Sequence, residues 1–204
     1  VLASPKGVGK TACLVHIATD KLLQGRAVSH VSYASRVDYI INWYEDIFTE
    51  LAKKRKLEGA VEVHDEIVKN RVIMNFKQDG AGTDQVLRSL EAMIAFGKFP
   101  AEAVIVDGYD FTRPASGDLE KFKAFAGKLG VEVWFSASLK ENGVPLYGQD
   151  GTPGLLKDDV AAIDVLITLH AAGDHVELRV VKDKGHPAPG LLKLKLDPKT
   201  LLIM

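Results

Sequence analysis

Three observations predict an α/β fold: a mostly parallel central sheet with helices on both faces, ending in a C-terminal β meander. First, an apolar run, Val1-Leu2-Ala3, leads through a glycine-containing stretch, Ser4 to Thr11, directly into a helical pattern. Second, strand-like and helix-like patterns then alternate as far as Ile163. Third, short apolar runs separated by turn residues take over from Asp164 to the end.

Taken in order, Thr11–Leu23 carries Leu14, Val15, Ile17, Ala18, Leu22 and Leu23 at helical spacing, and Gly25 ends it. Ala27–Ala34 reads as a strand, with Ser35 placed to cap the next helix. That helix is long and amphipathic: Val37, Ile40, Ile41, Tyr44, Ile47, Phe48 and Leu51 share a face, while Asp38, Asn42, Glu45, Asp46 and Glu50 face away. Lys53-Lys54-Arg55-Lys56 suits the negative end of the helix dipole; a nucleic-acid contact is the competing reading. Val61–Asn70 reads as a connector with a short helix, and Val72–Phe76 as a strand. Thr83 is placed to cap a helix reaching Phe96. Ala103–Asp107 is an apolar strand, Gly117–Leu129 a helix and Val131–Ala137 another strand. Lys140–Gly154, rich in glycine and polar residues, reads as a mobile surface loop, and Leu155–Ile163 as a short helix. The meander is expected as strands at Asp164–His170, Val176–Lys182 and Leu191–Leu196, with turns at Ala171–Asp174 and Asp183–Gly190, before an apolar end at Leu201–Met204.

The 204 residues are 47% hydrophobic and 26% charged, which suits one domain spanning the whole chain, with no internal repeat. A net charge of −1 does not by itself demand nucleic acid. No apolar run is long enough to span a bilayer and no signal peptide is visible, so a cytoplasmic location and no membrane partner are expected. Val1 already lies within the strand before the loop, so the native chain is expected to begin earlier. Cys13 is the single cysteine, and on the first helix it reads as a small packed residue.

Two stretches carry chemistry. Ser4-Pro5-Lys6-Gly7-Val8-Gly9-Lys10-Thr11 nearly matches G-x-x-x-x-G-K-[ST], the phosphate-binding P-loop, with Ser4 in place of the first glycine. Gly7 and Gly9 let the backbone turn and bring its N–H groups to an anion, and the helix start adds unpaired N–H groups and its positive dipole end. Lys10 is placed to reach terminal phosphates and Thr11 to ligate Mg²⁺. The expected ATP-binding set is Ser4, Pro5, Lys6, Gly7, Val8, Gly9, Lys10, Thr11 and Ala12; the plain alternative is a glycine-rich turn before a helix. The second stretch is Ala103-Val104-Ile105-Val106-Asp107. An acid at the carboxyl end of a buried strand would hold Mg²⁺ with Thr11, directly or through water; the alternative is a core strand followed by a turn aspartate. Asp110 is either a second polar group near the phosphates or a turn residue. Ser136 and Ser138 end a strand on the side where open α/β sheets bind ligands, so one of them could contact the γ-phosphate or an attacking water; a core hydroxyl satisfied by backbone is the alternative.

In these two stretches, and in Ile163-Asp164-Val165-Leu166-Ile167 followed by Val180 to Pro187, the chain resembles the RecA-like branch of P-loop NTPases, in particular the DnaB, RadA/Sms and KaiC group. The resemblance implies ATP and Mg²⁺ as ligands and a homo-oligomeric ring or filament. It also implies that Lys182 and Lys184 reach a neighbour's ATP as trans-acting cations. Lys184 stands where the group usually has arginine, which would supply charge without a two-pronged donor. The group's water-polarising glutamate falls at Ala34 or Ser35, neither of which is a base, and Asp38 lies in the first turn of the following helix. Hydrolysis is therefore expected to be slow or to use another acid, such as Asp110. Lys140–Gly154 occupies the place of a DNA-facing loop yet carries only Lys140 as a cation, so nucleic acid is the less favoured partner. Three functions follow in order: a RecA-like ATPase, a nucleotide-sensing regulatory module, and a small-molecule kinase. Arginine is sparse after Asp107, with only Arg113 and Arg179, which places the kinase last.

Overall fold

The computed structural model describes residues 1–33, 36–77, 82–112, 117–140, 145–200 and 202–203. Its centre is an eight-stranded sheet in the order β3-β2-β4-β5-β1-β6-β7-β8. The strands are β1 Leu2–Pro5, β2 Ala27–Ser32, β3 Arg71–Asn75, β4 Ala101–Asp107, β5 Glu132–Leu139, β6 Leu166–Ala172, β7 His175–Asp183 and β8 His186–Leu196. β1 to β6 pair in parallel, and β7 and β8 complete the sheet as an antiparallel meander.

Alternation along the strands sorts side chains to two cores. Val28, Ala103, Ile105 and Leu169 face α1 (Lys10–Leu23), α2 (Val37–Arg55) and α3 (Ala60–Lys69). Ala3, Val31, Val104 and Val106 face α4 (Thr83–Glu91) and α5 (Asp118–Leu129). β1 lies inside the sheet and stays paired with β5 as far as Pro5, opposite Leu139, so the loop that follows it opens at the carboxyl edge between β5 and β6.

Several elements differ from the sequence reading. Residues 60–69 form a full helix, α3, that buries only Ile67 completely; the sparse apolar face made it look like a connector. Thr83 does not cap α4. Gly82 occupies the cap position, and the Thr83 hydroxyl instead donates to Asp118 Oδ2 at 2.5 Å, tying the starts of α4 and α5 together. The last turn of that helix, Ala92–Phe96, is a π turn in which the Gly97 N–H reaches back to the Ala92 carbonyl at 2.8 Å. Of the helix expected at 155–163 only Leu155 and Leu156 are helical, in a 3₁₀ turn that runs Gly154–Leu156. Beyond it the backbone closes separate three-residue turns, Asp159 N–H to Leu156 at 3.1 Å and Ala162 N–H to Asp159 at 3.0 Å.

The turn expected over 183–190 shrinks to Lys184-Gly185, both at positive φ (48° and 82°), and β8 begins at His186. Pro187 and Pro189 suggested a loop. A strand accommodates them because β8 is the sheet edge, where a missing N–H is tolerated. Ala34, Ser35 as a helix cap, residues 78–81 of the loop read at Gln78 to Gly82, and residues 141–144 of the 140–154 loop lie outside the described residues.

Candidate functional site

The loop between β1 and α1 is shaped by two glycines at positive φ, Gly7 at 85° and Gly9 at 110°. A Cβ on Gly9 would stand 2.5 Å from Leu196 Cδ2, so a side chain there would also have to push Leu196 aside. Ser4 is fully buried inside β1 and is not among the residues at positive φ, so the glycine usual there is not needed by the backbone. No side chain caps α1, and its first internal bond runs from Cys13 N–H to the Gly9 carbonyl at 3.0 Å. The N–H groups that precede Cys13 in the helix have no carbonyl one turn back, which leaves them for a ligand.

Lys10, 7% exposed, lies under this loop. Its ammonium donates to the Ser4 and Pro5 carbonyls, both at 2.9 Å, and to Ser4 Oγ at 3.3 Å. Burial lowers its pKa to about 8, and the nearby Asp107 carboxylate opposes that shift. Asp107, 9% exposed at the end of β4, accepts from two hydroxyls. Thr11 Oγ1 donates to Oδ2 at 2.9 Å and Ser136 Oγ donates to Oδ1 at 2.6 Å. Ser136 Oγ in turn accepts from the Gly108 N–H at 2.8 Å. α1, β4 and β5 are therefore joined at one point, directly beside the loop.

A cleft of about 860 Å³ opens over this point. Its floor is the loop, with Lys10, Thr11 and Ala12, and the strand ends contribute Asp107, Gly108, Ser136 and Ser138. The donor set of the Thr11 hydroxyl and the Asp107 carboxylate fits Mg²⁺, which takes hard oxygen ligands from one or two protein groups and completes its shell with water and phosphate oxygens. Among the described residues no group of three or more His, Cys, Asp and Glu gathers as an all-protein metal site.

The remaining expected residues fall elsewhere. Asp110 closes its own turn, accepting from the Thr112 N–H at 3.0 Å and the Thr112 hydroxyl at 2.6 Å. Lys182 and Lys184 sit on the β7–β8 hairpin: Lys182 donates to the Val160 carbonyl at 2.5 Å, and Lys184 is exposed at the turn. Neither lines the cleft of its own chain. Ala34 and Ser35, at the expected glutamate position, lie outside the described residues. Sequence reasoning missed the opposite wall of the cleft, built by Tyr33, Arg36, Tyr39, Asn42 and Trp43 with Asp38. The available signal was Tyr39: an aromatic one step off the buried stripe of α2, where a polar residue is usual.

Sheet order, loop and strand-end acid together define a P-loop NTPase fold of the RecA-like kind. Among solved structures the chain is similar to an ATPase domain of another protein, with a TM-score of 0.67 and 17% identity, covering 100% of this chain and 82% of that one. At this identity the likeness is one of fold. No protein-family model matches the chain, and no curated protein matches it. No helix among the described residues is long and apolar enough to cross a membrane.

Proposed function

We propose that this chain binds Mg–ATP and hydrolyses it slowly, or efficiently only when assembled, as a RecA-like ATPase. The observation that carries this reading is the Thr11–Asp107–Ser136 chain of hydrogen bonds beside a glycine-shaped loop and a buried lysine. The loop N–H groups and the α1 N-terminus bind the phosphates. Lys10 exchanges the Ser4 and Pro5 carbonyls for phosphate oxygens, and its charge stabilises the transferring group. Thr11 and Asp107 would hold Mg²⁺, which supplies charge neutralisation at the terminal phosphates. Ser136 fixes the Asp107 carboxylate through a hydrogen bond.

The weak point is the base. Apart from Asp107, the acid lining the cleft among the described residues is Asp38, and the Arg36 guanidinium already holds it. Water activation is therefore poor, which supports slow turnover. Lys182 and Lys184, away from their own chain's cleft, suit a role across an interface in a ring or filament. A nucleotide-sensing module is the second reading, favoured by the same engaged Asp38.

The test is ATP binding by calorimetry beside Mg–ATP turnover, on this chain and on Lys10→Ala, at several protein concentrations. We expect binding, turnover that rises per subunit with concentration, and loss of both in the variant. Tight binding with no turnover at any concentration leaves the sensor; no binding overturns both readings.

A further inference from the structure

The cleft has a wall that phosphate chemistry does not use. Across the strand ends, in the order β1-β5-β4-β2, the cleft meets the phosphate loop first. Ser136 and Ser138 follow on β5, then Asp107 and Gly108 on β4. The segment after β2 and the first turns of α2 come last. Lys10 and Thr11 serve the terminal end of a bound phosphate chain, and Asp107 is bonded to Thr11 on the side towards β2. The nucleotide's own base hangs from the other end of that chain. The α2 wall thus lies beyond the terminal phosphate.

Its composition is specific. Tyr39 is 60% exposed, although α2 buries its neighbours Ile40 and Tyr44 almost completely. The Tyr39 ring stands edge-on to Trp43, with centroids 6.5 Å apart and planes at 81°. Asn42 lines the cleft beside them. An open ring face, a second ring at right angles and a side-chain amide suit a flat ring that carries hydrogen-bonding groups on its edge. Arg36 donates from both Nε and Nη2 to the Asp38 carboxylate, so this end of the wall is a neutralised pair and does not call for a second anion.

We propose that the Tyr39–Asn42–Trp43 wall is a subsite for a second ligand, a nucleoside or comparable neutral heteroaromatic compound, bound beside the terminal phosphate. The proposal rests on the reading of the loop as a triphosphate seat, and the test separates the two.

The chain has two tryptophans, so Trp134→Phe leaves Trp43 as the sole reporter. With Mg²⁺ and inorganic tripolyphosphate saturating the seat, adenosine is titrated while Trp43 fluorescence is followed; calorimetry reports tripolyphosphate binding. We expect saturable quenching by adenosine that persists when ATP replaces tripolyphosphate. Tyr39→Ala should weaken adenosine about tenfold more than it weakens tripolyphosphate, the size expected for loss of one base–aromatic stack. Binding of tripolyphosphate without any adenosine response overturns the subsite and leaves the seat standing. Competition between ATP and adenosine also overturns it, because the nucleotide's own ring then occupies the wall. A Trp43 signal that follows protein concentration alone overturns it in favour of a second copy of the chain. Failure of tripolyphosphate to bind overturns the seat and the subsite together.

Discussion

Lys10 shows how one side chain holds the site ready before any ligand arrives. Burial puts its pKa near 8, so the free protein carries the charge below that pH and loses it above. A phosphate beside the ammonium favours the charged form, and binding above about pH 8 must then take up a proton. Affinity for Mg–ATP should be flat on the acid side and fall by up to about tenfold per pH unit on the alkaline side. Calorimetry in buffers of different ionisation enthalpy checks this through the proton uptake. For folding the sign is opposite: the unfolded chain binds more protons between about 8 and the ordinary 10.5, so this group's contribution to stability rises with pH across that window. Ser136 is the second test. Ser136→Ala removes the donor to Asp107 and the acceptor for the Gly108 N–H, and should cost about 1–3 kcal/mol in urea unfolding. It should also weaken the Mg²⁺ dependence of ATP binding, because Asp107 loses an anchor. The place of both residues at the loop and strand end was legible, but for Ser136 the sequence offered a phosphate or water contact or a hydroxyl satisfied by backbone, and not the bond to Asp107. That the carboxylate accepts from Thr11 and Ser136 together was not legible, because it depends on three elements distant in sequence.

Among the elements, β2 and α2 meet through a buried polar pair. His30 on β2 is fully buried, and its Nδ1 lies 3.0 Å from the Tyr44 hydroxyl of α2. Burial holds the imidazole well below its ordinary pKa of 6.5; Asp107 opposes this and Arg71, over the Tyr44 ring at 4.3 Å, adds to it. The unfolded chain therefore binds the extra proton as pH falls below about 6.5, and this part of the stability is lost on the acid side. Tyr44→Phe leaves His30 without that partner and should cost about 1–3 kcal/mol, measured by denaturant unfolding near neutral pH. The same pair marks the limit of pattern reading. Residues 27–34 read as a strand, but nothing in that pattern showed what His30 meets. Pattern served best in α1 and where an apolar run was unbroken, as in β4; on α2 it found the buried face through Ile40, Tyr44, Ile47, Phe48 and Leu51 but wrongly added Val37 and Ile41, which are 39% and 38% exposed. It fell short at α3, where a short helix within a connector was expected and ten residues are helical, at 155–163, where backbone bonds close short turns, and at β8, which begins at His186 although it carries prolines, tolerated at the sheet edge.

On the scale of the molecule, the loop after β1 and the terminal meander touch, because Leu196 Cδ2 occupies the space that a Cβ on Gly9 would need. Gly9→Ala should therefore remove ATP binding through both φ and contact, while Gly9→Ala with Leu196→Ala relieves only the contact and should not restore binding; calorimetry distinguishes the two. The same arrangement has a consequence for how the protein is made. β1 pairs with β5 and β6, with Leu2 opposite Ser136 and Ile167. A ribosome thus delivers the loop ahead of both strands that flank it, with β2, β3 and β4 emerging in between. Until β5 and β6 follow, the Ser4–Thr11 loop has neither of the strands that flank it. β1 can take its place in the sheet only once these later strands exist.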